Sequence, residues 1–288
     1  MLKKMLAVII GMGIFGVGCV KININDSWRW KFKNRGISGE AGFKKDTTII
    51  QNLKNPSENV FEIKTIGGKV EISCWNKNQI LVKAKIYGDA EVFKEYKNNK
   101  FYIETVFPKE IKIKTGRVDY QIKIPQNLKK VSIKTVSGDV RGENLVVREK
   151  IFLRTVSGDM EIKKIKVNYF KVATTSGDGS IEGIFCSDVS VSSVSGDFKL
   201  SFKGLVDNTK LSSVSGDYEV YINKVKEFKF KSVSGDLDIY SQTRFSDVKF
   251  SSTSGNYRET RGEYLYPKSD AILRATTVSG DVKIHPVK

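Results

Sequence analysis

The side chains with the clearest capacity for chemistry stand at one repeating position. A Ser-Gly-Asp triplet recurs through the C-terminal half of this 288-residue chain and presents Asp139, Asp159, Asp178, Asp197, Asp217, Asp236 and Asp281, with Asn256 in one Ser-Gly-Asn copy. The eight glycines, from Gly138 to Gly280, follow one another at intervals of 20, 19, 19, 20, 19, 20 and 25 residues. A file of carboxylates could hold cations, which makes Asp139, Asp159, Asp178, Asp197, Asp217 and Asp236 a candidate cation-binding column. Carboxylates about 5–9 Å apart could also share the roles of glycoside hydrolysis. Against the first reading, the spacing is not the nine-residue glycine-rich calcium repeat, and few further acids accompany each Asp. Against the second, a catalytic pair would interrupt the repeat with unusual residues, whereas nearly every copy carries the same acid. The structural alternative is that each carboxylate bonds corner amides while nearby lysines screen the charge. In water, like charges about 4.8 Å apart repel by about 0.9 kcal/mol, so something must compensate.

The single histidine, His285, lies three residues from the C-terminus, which removes a Ser/His/Asp relay and any multi-histidine metal site. A non-enzyme without metal or cofactor is expected. Among the three cysteines, Cys19 is distinctive because it follows Lys3, Lys4 and the uncharged run Met5 to Gly18. As a helix that run spans about 21 Å, short of the roughly 30 Å of a bilayer core, so it reads as a cleaved export signal. Gly16-Val17-Gly18-Cys19 resembles the bacterial lipobox, with Gly16 where Leu is usual. That resemblance implies lipidation of Cys19 and attachment to a membrane. The expected divisions are a signal peptide at 1–18, an anchor linker and N-terminal cap at 19–57, and a repeat domain at 58–288.

The elements that position the aspartates follow from the residues around them. Five and seven positions before each glycine stand apolar side chains, such as Leu153 and Ile151 or Phe230 and Phe228, with Thr209 an exception at the farther position. Three before it every copy has Thr or Ser, and two after it apolar residues resume, Gly179 excepted. Period-two alternation broken at a glycine describes a strand, a tight corner and another strand. A period near 20 residues describes turns that bury their apolar faces only by stacking on one another. The expected fold is all-β: a single-stranded parallel β-solenoid of about ten coils of 19–20 residues. None of the five prolines falls between 126 and 266, as an intact N–H ladder requires. Each triplet glycine is expected at φ > 0, with Asp and Ser bonding nearby amides. Degenerate corners are expected upstream at Gly67-Gly68, Gly88 and Gly116. Cys74 and Cys186 would lie roughly 25 Å apart along such a stack, beyond the roughly 7 Å limit of a disulfide, and are expected as free thiols.

Three segments together resemble the bacterial putative-adhesin family, a β-strand-repeat domain of unknown function common in lipoproteins and membrane-attached proteins. They are Gly68-Lys69-Val70-Glu71-Ile72-Ser73-Cys74-Trp75, then Val118-Asp119-Tyr120-Gln121-Ile122-Lys123-Ile124-Pro125, and the run of triplets itself. The resemblance implies a right-handed β-helix and brings no catalytic residues.

The outer surface offers further candidates. Lys171, Lys210, Lys229, Lys249 and Arg274 stand six residues before their glycines and would form a broken positive stripe on a chain of net charge +17. Such a stripe is either a solvated face that discourages edge pairing or a contact for anionic envelope glycan or lipid headgroups. Nucleic acid is not an expected partner, since no reader motif is present. Trp28, Trp30 and Phe32 alternate with basic residues and suit a cap on the first coil or a belt at a membrane surface. The 25-residue interval places Tyr264 and Tyr266 in a protruding loop, another candidate contact. Val282 to Ile284 is expected to form the open last edge, giving a monomer or weak end-to-end self-association. Together these readings describe an exported cell-envelope lipoprotein whose solenoid is a non-catalytic, adhesin-like scaffold or interaction surface. The alternatives are a polysaccharide-binding or polysaccharide-cleaving β-helix, and a membrane-associated regulatory or stress-sensing module.

Overall fold

A computed structural model describes residues 42–108 and 115–287. Residues 1–18, Cys19, Trp28, Trp30 and Phe32 lie outside the described residues. Those described are all-β apart from one short 3-10 turn, Pro56–Glu58. No helix among them is long and apolar enough to cross a membrane.

Each coil contributes one strand to each of two parallel sheets, here called A and B, and the sheets bury their inward side chains in one apolar core. The alternation seen in the sequence sets the facing. In Asp188–Ser192, Val189 and Val191 are buried while Ser190 points outward. Parallel register then aligns equal positions of successive coils, so Leu153, Val172, Val191, Leu211 and Phe230 form one buried file. Burial of each such side chain contributes roughly 1.5–3 kcal/mol, which the coil obtains only from its neighbours.

Among the described residues the coils number ten, but their spatial order departs from sequence order at both ends. Near the C-terminus, Ile272–Thr276 pairs with both Lys224–Lys231 and Asp247–Ser251, and Val282–Pro286 pairs with both Leu237–Ser241 and Tyr257–Glu259. The last coil in sequence is thus driven between its two predecessors. Val282 is fully buried, and among the described residues the open edges at this end are Asp247–Ser251 and Tyr257–Glu259, which corrects the expected edge at Val282 to Ile284. The long interval supplies the return path. Its loop does not protrude: Tyr266 bridges to Thr243, and the half-buried Tyr264 packs on the core with its hydroxyl on Glu259 at 2.6 Å.

The N-terminal end shows the mirror arrangement. Val60–Lys64 lies between Lys100–Val106 and Leu128–Lys134, and Val70–Trp75 lies between Gly116–Pro125 and the first part of Val140–Arg154. Gly88 and Gly116 are therefore not successive corners. Gln79–Gly88 runs antiparallel to both Phe43–Asn52 and Gly116–Pro125, and Glu91–Lys97 forms an antiparallel hairpin with Lys100–Val106. The two-residue turn between Glu91–Lys97 and Lys100–Val106 permits antiparallel pairing and not a parallel crossover.

The conformation of the triplet glycines also differs from expectation. None of the eight has a positive φ. Glycine is required there by contact: a Cβ on Gly196 would lie 2.0 Å from the carbonyl oxygen of Gly177, and one on Gly158 would lie 2.1 Å from that of Gly138. Left-handed residues occupy the opposite bend, at Asn144 (φ 53°), Lys164 (58°), Gly183 (67°) and Gly204 (131°).

Candidate functional site

Stacking brings the corner residues into one file. In spatial order it reads Asp119, Lys69, Asp139, Asp159, Asp178, Asp197, Asp217, Asp236, Asp281 and Asn256. The carboxylate Oδ1 of each Asp from 139 to 236 accepts the backbone N–H of the next corner residue, at 3.2 Å from Asp159 shortening to 2.7 Å from Asp281. Asp281 accepts from Asn256 at 2.8 Å, and Asp119 from Lys69 at 3.0 Å. Backbone bonds run the opposite way, with the residue after each corner donating to the neighbouring corner carbonyl, as in Phe198 to Asp217 at 2.9 Å. The carboxylate thus continues the ladder around a bend where backbone carbonyls alone do not. A bond of this kind contributes about 1–2 kcal/mol, enough to offset the repulsion of a neighbouring acid.

Beneath the carboxylates a second file is equally engaged. Each triplet glycine donates its N–H to the Thr or Ser hydroxyl three residues earlier, as Gly196 does to Ser193 at 2.7 Å and Gly158 to Thr155 at 2.8 Å. These hydroxyls are almost all buried, and without them the corner amides would lack partners. Asp119 and Lys69 belong to the column although neither sits in a Ser-Gly-Asp triplet. The signal that finds them is the Asp-apolar or Lys-apolar pair opening each strand, Asp119-Tyr120 and Lys69-Val70.

An open groove of about 650 Å3 follows the column beside the outward face of sheet A, where Arg141, Glu161, Ser180, Lys199, Glu219 and Asp238 line it. Opposite charges sit across the register, with Arg141 3.6 Å from Glu161 and Lys199 3.3 Å from Glu219. The Tyr221 hydroxyl bonds Glu219, and with Lys199 it holds that carboxyl below the usual range despite partial burial. Tyr221, Tyr240 and His285 stack in a ladder with successive centroids 4.7 Å apart, and His285 Nε2 lies 3.0 Å from Asp238. Their faces cover one another, so the ladder fastens strands and offers no flat ring to a ligand. Among the described residues no group of three His, Cys, Asp or Glu is placed to hold a metal ion.

The basic stripe forms a file on the outward face of sheet B in the order Lys171, Ser190, Lys210, Lys229, Arg274, Lys249. Its far end is neutralised. Glu227 lies 2.7 Å from Lys229 and 3.4 Å from Arg274, and Asp247 lies 3.9 Å from Lys249. Lys171, at the other end, leans over Phe152 instead. Cys74 and Cys186 are both free thiols. Burial pushes the Cys186 thiol up to about 12, and burial likewise raises Cys74, whose sulfur accepts the Val146 N–H at 3.3 Å. Neither has the thiolate character that reactivity requires.

The fold and its corners define the class of protein: a parallel β-solenoid whose repeated polar residues fasten coil to coil. The family model described as Toastrack DUF4097 matches residues 31–285, and the chain belongs to that family. No curated protein matches it. Among solved structures, a "putative adhesin" from Bacteroides fragilis superposes with a TM-score of 0.54 at 18% identity, over 84% of this chain and 98% of its own. A "putative lipid binding protein" from Parabacteroides distasonis gives 0.54 at 16% identity, over 84% and 97%. A "putative adhesin" from the same organism gives 0.54 at 14% identity over the same shares. At these identities the likeness is one of fold.

Proposed function

We infer that this chain is an exported, non-catalytic interaction module of the cell envelope, tethered through a lipidated Cys19 and presenting its flat outer faces to an anionic envelope surface. One observation carries the reading. The repeated Asp, Gly and Thr or Ser residues, which looked most able to do chemistry, are engaged in hydrogen bonds and contacts between coils. Recognition then falls to the outward side chains of the two sheets. The net charge of +17 favours an anionic partner. Family membership and solved relatives named for adhesion or lipid binding support the same reading.

The test has two parts. Cys19→Ser is expected to release the protein from the membrane fraction, whereas the parent stays with it after a high-salt wash. The released chain, incubated with anionic envelope polymers and lipid vesicles, is expected to bind at least one of them and to leave the polymers at their original length. Shortened polymer would establish an enzyme, and retention of Cys19→Ser by washed membranes with its signal still cleaved would rule out the lipid tether.

A further inference from the structure

The bend opposite the triplet corner carries two features that stacking alone does not require. The first is an exposed apolar pair flanked by lysines. Phe185 and Leu205, in adjacent coils, are 52% and 51% exposed, and the Phe185 ring lies 3.6 Å from where a Cβ on Gly204 would stand. Lys166 is in register with Phe185 and Lys224 with Leu205. Lys203 donates its N–H to the Ile184 carbonyl at 2.9 Å and so stands beside Phe185. Among the described residues Lys164, Lys166 and Lys203 form no ion pair, and Lys224 lies 3.9 Å from the Tyr266 ring. The acids nearest the apolar pair along the chain are Glu182, Asp188 and Asp207. Asp188 accepts from the Asn208 side-chain amide at 2.7 Å, and Asp207 is 2.6 Å from Lys226. The second feature is the backbone of Lys164. Of the left-handed residues on this bend, Asn127, Asn144, Gly183 and Gly204 are types that visit that region readily, and Lys164 is not. Its Cα lies 3.4 Å from where a Cβ on Gly183 would stand, so the two occupy equivalent places in adjacent coils. A basic side chain held in a strained conformation, where neighbouring coils place Asn or Gly, points to a task for its charge.

We propose that this ridge docks on an anionic bilayer, with Phe185 and Leu205 entering the headgroup region and Lys164, Lys166, Lys203 and Lys224 on lipid phosphates. A convex edge can push its apolar tip between headgroups, which a flat sheet face cannot. Leu205 separates a bilayer from an acidic glycan, because exposed aliphatic surface is stabilised by lipid and gains little from a hydrated sugar chain. Apolar side chains flanked by Lys suit a membrane interface, where buried apolar area and attraction to anionic lipid act together. The inference rests on the reading of an anionic envelope partner; it names the lipid and places the contact at the edge where the two faces meet.

The experiment uses the mature chain 19–288 carrying Cys19→Ser, so that neither signal nor acyl chain contributes. Sedimentation with vesicles of phosphatidylcholine, alone or mixed with phosphatidylglycerol, is expected to show binding only to the mixture and weakening with salt. Phe185→Ser/Leu205→Ser, which changes exposed side chains, is expected to keep the parent's melting temperature and lower affinity roughly tenfold or more. Lys164→Gly separates charge from folding: it is expected to hold or raise the melting temperature by relieving the backbone, yet to weaken binding roughly fivefold. Amine labelling of the parent supplies a readout independent of variants. Vesicles are expected to protect Lys166 and Lys203 and to leave Lys199 and Lys210, on the outward faces of sheets A and B, reactive. Parent-like binding by either variant, or protection of Lys199 or Lys210 equal to that of Lys166, would overturn the ridge as the site. Binding to soluble polyphosphate without binding to mixed vesicles would overturn the bilayer in favour of a soluble polyanion. Absence of binding to every anionic envelope material would instead defeat the broader function.

Discussion

Each corner residue has a separate physical task, and the tasks predict different sensitivities. Gly196 is needed because the carbonyl of Gly177 in the preceding coil would lie 2.0 Å from a Cβ, so Gly196→Ala is expected to cost about 3 kcal/mol or more by chemical denaturation. Gly183 is needed only for its left-handed backbone and has room around it, so Gly183→Ala is expected to cost about 1 kcal/mol. Ser190→Ala, outward in the same coil as Gly196, is expected to cost less than about 0.5 kcal/mol. A reversed order of the two glycines would mean that conformation, and not contact, selects the residue. Glu62 makes a pH prediction. Burial alone would push its carboxyl up, but hydrogen bonds from Lys100 at 2.5 Å and Lys134 at 3.0 Å outweigh it and hold the group below its usual value. A lowered folded-state value contributes stability above the ordinary carboxylate range, and that contribution is lost as pH falls through the folded value. Glu62→Gln is therefore expected to melt below the parent at neutral pH, with the gap closing as the pH falls below the ordinary carboxylate range. The triplet was legible in the sequence as a corner. Its glycine's conformation was not, because a Ser-Gly-Asp motif looks the same whether glycine serves φ or clearance.

At the scale of elements, alternation specified the strands and their inward faces, as Val189, Ser190 and Val191 show. It did not specify which coil stacks on which. Successive Ser-Gly-Asp coils offer the same apolar file and the same corner acceptor, so the last coil fits between its predecessors as well as after them. The 25-residue interval was the visible trace of that choice, and Tyr264 and Tyr266 line the return path it creates. Cross-linking tests the order directly. Asp238 is in register with Lys283, which is in register in turn with Arg258. Asp238→Cys/Lys283→Cys brings positions about 4.8 Å apart and is expected to oxidise readily, whereas Asp238→Cys/Arg258→Cys spans about 9.6 Å and is expected to stay reduced. Rapid oxidation of the second pair alone would restore sequential stacking. Upstream, Asp119 and Lys69 escaped the triplet pattern because their corners lack the Ser-Gly pair, yet the same amide-to-carboxylate bond joins them.

For the molecule as a whole, the repeated acids fasten coil to coil, and the outer faces are left as the surface on which recognition is proposed. The lysine stripe was legible from its spacing, as were the acids two residues before Lys229 and Lys249; only the contact of Glu227 with Arg274 depended on which coils became neighbours. The claim that the column is a fastener and not a ligand site is open to one direct measurement: thermal melting of the parent and of Asp178→Asn/Asp197→Asn/Asp217→Asn, each with and without calcium. Asn keeps the Oδ1 acceptor and removes the charge, as Asn256 does at the end of the column. A fastening column requires that calcium leave the parent's melting temperature unchanged, and that the variant stay within about 1 kcal/mol of the parent because acceptors remain and repulsion is relieved. A rise in the parent's melting temperature with calcium, abolished in the variant, would contradict it and make the column a cation site.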